Sequence, residues 1–234
     1  MNFTAVTHGN ELIGFECKIG TNLFFFGTKE SSFDNLGEYY PALQFHEIKQ
    51  VHGDMVILAR SPGPATDADA HWTPQLNHAP VIATADCIPV LLSHPDFVCS
   101  IHAGWRGIQN EIVLKTIRFL LNKFNKIKPT IALFGPHIHK NSFEVDLGLA
   151  QVFRQLQSSY GEKNPLIVEE SCIANKAHID LGLILRCQLQ LAGLLPDQIF
   201  EFSADTKLDV RFASFRREKS QASRNFSFVA RLRS

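Results

Sequence analysis

Residues 81–107, VIATADCIPVLLSHPDFVCSIHAGWRG, constrain the fold more than any other stretch of the chain. They carry two apolar runs, each short enough to be a strand. The first meets polar and reactive residues at Asp86-Cys87, the second ends at His102, and a Gly-Trp-Arg-Gly turn follows. A third chemically active residue, His52, stands upstream in KQVHGDMV at the edge of another short apolar run. Two histidines and a cysteine are donors that zinc prefers, with a fourth position left for chemistry. No short-range spacing links the three, so the residues alone leave other readings open. Cys87 reads equally as an inert core thiol and His102 as a satisfied strand-end histidine. His94, His137 and His139 are rival ligands, the last two as an HxH pair.

The surrounding chain alternates strands with well-separated helices. ELIGFEC and LFFFG, parted by Gly20-Thr21-Asn22, read as two strands, with Phe24–Phe26 buried on both faces. SSFDNLGEYYPAL reads as a turn and a short helix, and residues 55–59 as a strand. Residues 61–80, with four prolines, read as a long loop whose Asp67 and Asp69 either line a site or are simply solvated. Ile112, Val113, Thr116, Ile117, Leu120, Leu121 and Phe124 follow helical spacing. TIALFG reads as a strand. Asp146 and Asp180 are N-caps for two further helices, the second stopped near Gly193 and Pro196. IFEFSA and FSFVAR close the chain as strands. With no repeat, linker or regular βαβ alternation, the expectation is one α/β or α+β domain over residues 1–234, with mixed β-sheets flanked by helices.

Composition narrows the function classes. Lys+Arg and Asp+Glu are both 23, so no global charge argues for nucleic acid or membrane. No apolar run approaches the roughly 18 residues of a membrane span, and the N-terminus lacks a signal-like apolar core. Five cysteines without a CxxC pair favour reduced thiols, so a cytoplasmic protein is expected.

KQVHG, TADCIPVLL, HAGWRG, GPHI followed by FEV, and FASFRRE resemble, in order, the signature blocks of the YfiH-type laccase-domain family. The resemblance runs from about residue 49 to 228 and implies a single domain of cysteine-hydrolase type. It also implies a zinc held by His52, Cys87 and His102. The family has been described as a copper polyphenol oxidase, as a Cys-His hydrolase, and as a purine nucleoside enzyme. In the last description it phosphorolyses adenosine, inosine and methylthioadenosine and deaminates adenosine. Copper oxidase chemistry needs a histidine-rich cluster, and ten histidines with a single HxH support it poorly. The deaminase pattern H-x-E with P-C-x-x-C is absent.

Zinc-dependent phosphorolysis therefore leads, with deamination second and with purine nucleosides and phosphate as small-molecule partners. Arg106, Arg216 and Arg217 are the phosphate-binding residues, because planar guanidinium groups grip phosphate in pairs of hydrogen bonds. Cys87, His102 and Asp86 are the catalytic set, Asp86 either orienting a ligand histidine or capping a turn. Gly104 and Gly107 suggest an anion-binding turn. Phe143 reads as core or as a stacking platform, and Glu144 as an acid/base candidate. Eight Lys+Arg against two acids after residue 206 form a basic run that a solvated face also explains. Two rivals stay open. One is a metal-free hydrolase with Cys87 as nucleophile and His102 as base. The other is a structural zinc closed by His94 or His137. Oligomeric state, monomer or homodimer, is open. The chain departs from the family pattern in having no Cys before FASFRRE, Phe215 for the usual Tyr, and Ser223-Arg224 for Gly-Arg.

Overall fold

The structure is a computed structural model and describes residues 1–59, 66–125, 128–160 and 167–233. The first half contains β1 (Thr4–His8), β2 (Glu11–Ile19), β3 (Asn22–Gly27), α1 (Phe33–Tyr39), β4 (Gln44–His46), β5 (Val56–Leu58), β6 (Ala70–Thr73), β7 (His78–Thr84), β8 (Ile88–His94) and β9 (Phe97–Ala103). The second half adds α2 (Trp105–Gln109), α3 (Ile112–Lys123), β10 (Ile131–Phe134), β11 (Glu144–Asp146), α4 (Leu147–Ser159), β12 (Val168–Glu170), β13 (Lys176–Ile179), α5 (Leu181–Leu191), β14 (Ile199–Glu201), α6 (Phe215–Glu218) and β15 (Asn225–Arg231).

Two six-stranded sheets, β1-β2-β3-β15-β7-β4 and β14-β10-β8-β9-β6-β5, pack on each other, and β11-β13-β12 form a small third sheet. Most pairs are antiparallel, while β4–β7, β5–β6 and β10–β14 are parallel, so the large sheets are mixed as expected. The two-residue period of a strand assigns each side chain to one core. Phe24 and Phe26 meet Leu91, Val98 and Leu133 between the sheets. Phe25 points the other way, against Leu36 of α1 and Phe228. Val90, Leu92, Cys99 and Ile101 face outward from the second sheet onto α3 and α5, making the largest core. All three Phe are fully buried, which is why an unbroken aromatic run is stable there.

Three local readings change. The stretch read as a loop over 61–80 contains β6 and the start of β7, and residues 61–65 lie outside the described ones. Ala70–Thr73 is strand because it pairs with both β5 and β9, a tertiary effect that outweighs its proline-rich neighbourhood. Gly-Trp-Arg-Gly is the start of helix α2 rather than a turn, with Gly104 as N-cap at φ −74°. Asp146 precedes α4 without a side-chain capping bond, its carboxylate being taken by Lys176. Asp180 does cap α5, accepting from Leu183 N at 2.8 Å.

Candidate active site

The three residues expected to hold a metal do converge. His52 sits on the loop before β5 with φ 59°, Cys87 on the turn into β8, and His102 near the end of β9. Antiparallel pairing of β8 with β9 sets Ile88 opposite Ala103, which places Cys87 and His102 side by side. Cys87 Sγ lies 3.9 Å from His52 Nε2, and the imidazoles of His52 and His102 meet edge to face at 4.8 Å between centroids. One ligating atom from each residue lies within 4.8 Å of the other two. Gly104 keeps this space open: a Cβ there would stand 3.0 Å from His52 Cδ2 and 3.2 Å from Cys87 Sγ. Two imidazole nitrogens and a thiolate around such a gap fit a borderline divalent cation.

Asp69 holds the group together. It is fully buried, and its carboxylate accepts from Val51 N, His52 N and Gly53 N at 3.2, 3.0 and 2.6 Å. It also accepts from His102 Nδ1 at 2.7 Å, and its backbone oxygen accepts from His102 N at 2.7 Å. That bond assigns the imidazole proton to Nδ1 and leaves Nε2 facing Cys87. Burial alone would raise the Asp69 pKa, but the bond and charge of His102 and the Gly53 and Val51 amides hold it below its usual value.

The same charges set the thiol. Burial would push Cys87 up, yet the charge and hydrogen bonds of His102 and His52 bring it down to about 6. Burial would likewise lower His102, and Cys87 and Asp69 together raise it to about 9. Without a metal, the pair is therefore a thiolate beside an imidazolium. Cys99, fully buried with no such neighbours, is raised by desolvation alone.

A cavity of ≈ 720 Å³ opens from this group. Arg106, Arg216, Lys219 and Arg224 line it, against Asp86 as the only carboxylate in its wall among the described residues. Phe143, Phe215 and Trp105 supply aromatic surface. Arg106 lies 4.1 Å from the Trp105 ring centroid, and Arg216 lies 5.3 Å from that of Phe143. Asp86, at φ 84°, does not orient a histidine. Its Oδ1 accepts from Thr206 Oγ1 at 2.7 Å and its Oδ2 from Arg216 N at 2.6 Å, which ties the stretch 206–216 to the cysteine turn. Immediately before this stretch, which carries no Cys, Asp205 accepts from Ser142 Oγ at 2.6 Å.

Several expected residues lie elsewhere. The Arg217 guanidinium is taken by the carbonyls of Thr206, Lys207 and Phe212 and by Glu218, and it does not line the cavity. The Glu144 carboxylate accepts from Ser171 Oγ at 2.6 Å, although its carbonyl accepts from Arg216 Nη1. His94 ends β8 at the opposite end from Cys87, stacked on Phe97. His137 belongs to a second cavity, and Asp67 pairs with Lys49 on the surface. Lys219 was not singled out by sequence, Arg224 only as a departure from the family pattern, and Asp69 only beside Asp67 as an acid that either lines a site or is solvated. Strand alternation does not separate Asp67 from Asp69, which are two residues apart; Asp69 adjoins Ala70, which pairs with Ile101 in the sheet, whereas Asp67 bridges to Lys49 outside it.

Comparison with known proteins agrees with this architecture. Residues 34–232 match a family model described as multi-copper polyphenol oxidoreductase laccase. A purine nucleoside phosphorylase of Deinococcus radiodurans is 30% identical over 81% of this chain and 71% of its own length. One from Rickettsia conorii is 31% identical over 67% of this chain, and the match spans 64% of that relative. YlmD from Geobacillus stearothermophilus superposes with a TM-score of 0.83 over 98% of this chain and all of its own, at 21% identity.

Proposed function

Because this chain belongs to the multi-copper polyphenol oxidoreductase laccase family, among whose curated relatives are proteins named purine nucleoside phosphorylase, we propose that it is a zinc-dependent purine nucleoside phosphorylase. The observation that carries the reading is the convergence of His52, Cys87 and His102 at a cavity whose wall holds four cationic side chains and one carboxylate. His52, Cys87 and His102 would hold the zinc. Zinc bound there supplies a Lewis acid that draws electron density from an oxygen or nitrogen of the substrate.

The remaining roles fall to the chain itself. Arg106 and Arg216 bind phosphate, helped at the mouth by Lys219 and Arg224. Arg216 is held for this by its amide bond to Asp86 and its Nη1 bond to the Glu144 carbonyl. Asp86 is thus a positioning residue. Phe143 and Phe215 flank the purine, Phe143 from the core and Phe215 from an exposed site. A phosphate oxygen attacks C1′ of the ribose, the bond from C1′ to the purine nitrogen breaks, and the base leaves as sugar 1-phosphate forms. Asp69 keeps the proton on His102 Nδ1, so His102 Nε2 stays directed at the reacting end of the cavity. Adenosine, inosine and methylthioadenosine are the substrates, with adenosine deamination a secondary activity.

The test is phosphate-dependent adenine release from adenosine, alongside the metal content of the untagged protein. Near-stoichiometric zinc, with turnover lost in Cys87→Ala and in Arg216→Ala, is expected. Zinc with no turnover on any purine nucleoside overturns the substrate assignment.

A second reading rests on one observation of its own. Asp69, His102 and Cys87 form a line in which a carboxylate orients an imidazole beside a thiolate. As a metal-free hydrolase the protein keeps full activity through chelation and loses it on alkylation of Cys87. Loss on chelation eliminates this alternative.

A further inference from the structure

On the opposite side of the segment that forms one wall of the cavity lies another set of donors. Ile138 projects into the first cavity, while His137 and His139, one residue to either side, line a second of ≈ 410 Å³. Glu201, at the end of β14, faces them, and one ligating atom from each of the three residues lies within 4.8 Å of the others. The rings of His137 and His139 are 4.9 Å apart between centroids and inclined at 53°.

The hydrogen bonding leaves both imidazoles with a free nitrogen. His137 Nδ1 donates to the Gly135 carbonyl at 2.8 Å, which puts the lone pair on Nε2. His139 Nε2 is buried and has no hydrogen-bond partner among the described residues. A buried polar atom left in this way is uncommon in a folded chain and calls for an explanation. The approach to His137 Nε2 is open because residue 182 is glycine: a Cβ there would stand 3.1 Å from that nitrogen and 3.6 Å from Asp180 Oδ1. Arg186 Nη2 donates to Glu201 Oε2 at 2.7 Å and leaves the other carboxylate oxygen. Arg186 and Lys140 oppose a cation here, and Asp180 and Glu201 favour one.

We propose that His137, His139 and Glu201 form a second metal site, for a first-row divalent cation of the zinc and cobalt kind, separate from the Cys87 group. Two imidazoles and one carboxylate suit such ions, whereas calcium and magnesium prefer oxygen donors throughout. The site is independent of the proposed nucleoside chemistry.

The experiment is a titration of the metal-stripped full-length protein with Co²⁺, followed by absorption. Cobalt bound to Cys87 gives a thiolate charge-transfer band, and cobalt on the second group does not. Wild type is expected to bind two equivalents. Cys87→Ser should bind one without the thiolate band. His139→Gln should bind one with that band intact, which also shows that the variant is folded. If His139→Gln loses its fold, Glu201→Gln takes its place, with second-site affinity expected to drop at least tenfold. A wild-type stoichiometry of one that persists in His139→Gln overturns the proposal, as does an unchanged value of two in that variant. One equivalent without a thiolate band, abolished in His139→Gln, would establish this site while removing metal from the Cys87 group.

Discussion

Asp69 is the residue on which the site geometry depends most directly. Asp69→Asn keeps the size of the side chain but weakens its grip on the His102 imidazole and on the amides at 51–53. Zinc affinity should fall about 10–100-fold, read by competition with a chromophoric chelator; an unchanged affinity would remove Asp69 from its role. Cys87 offers a pH test. Because its thiol titrates near 6 in the metal-free protein, alkylation should stay fast at pH 7 and slow only as pH falls through about 6. His102→Gln should move that midpoint upward toward an ordinary thiol. Gly104→Ala is tolerated by the backbone at φ −74°, yet its methyl enters the space between His52 and Cys87. Metal content should drop while thermal stability changes little, and full occupancy in this variant would show that the metal sits elsewhere. The three proposed ligands were readable from sequence only through the blocks that carry them. Asp69 was legible only as one of two acids that could line a site; its bonds to His52 and His102 span 17 and 33 residues of sequence and come from the tertiary fold.

The elements carry a different lesson in β3. Phe25 and Phe26 are adjacent in sequence but pack into separate cores, one against α1 and one between the sheets. Phe25→Leu and Phe26→Leu should each cost about 1 kcal/mol. Their effects should sum to within about 0.5 kcal/mol in the double variant, measured by urea unfolding, because their partners do not overlap. A larger coupling would mean the two cores respond as one. Long periodic or unbroken apolar segments, such as α3 and β3, were legible because their own side chains specify the period. Short ones were not: Ala70–Thr73 becomes strand through its neighbours, and Trp105–Gln109 becomes helix because β9 ends against it. The third sheet, three strands of three or four residues, carried no local signal of its own.

For the whole molecule, a histidine away from the site should contribute to acid sensitivity. His71 is fully buried, bonded through Nε2 to the Val81 carbonyl at 3.0 Å, and burial, with His46 nearby, lowers its pKa to about 3. The unfolded chain takes up this proton below its ordinary value near 6.5, and the folded chain does not until about 3. Stability therefore falls by a few kcal/mol as pH drops through that window and levels off beneath it. His71→Gln should flatten this part of the curve in denaturant melts across pH; an unchanged slope would assign the acid lability to other groups.

The network around Asp69 would also govern how the protein meets the proposed zinc. With the 51–53 amides and the His102 ring already tied to one carboxylate, the donors are gathered when the chain folds, not when the ion arrives. Uptake then orders little additional backbone, and the stripped protein should show the same hydrogen-exchange protection at those amides as the loaded one. A protein built this way can exchange its ion with the surrounding pool without passing through an unfolded state, so its occupancy follows supply.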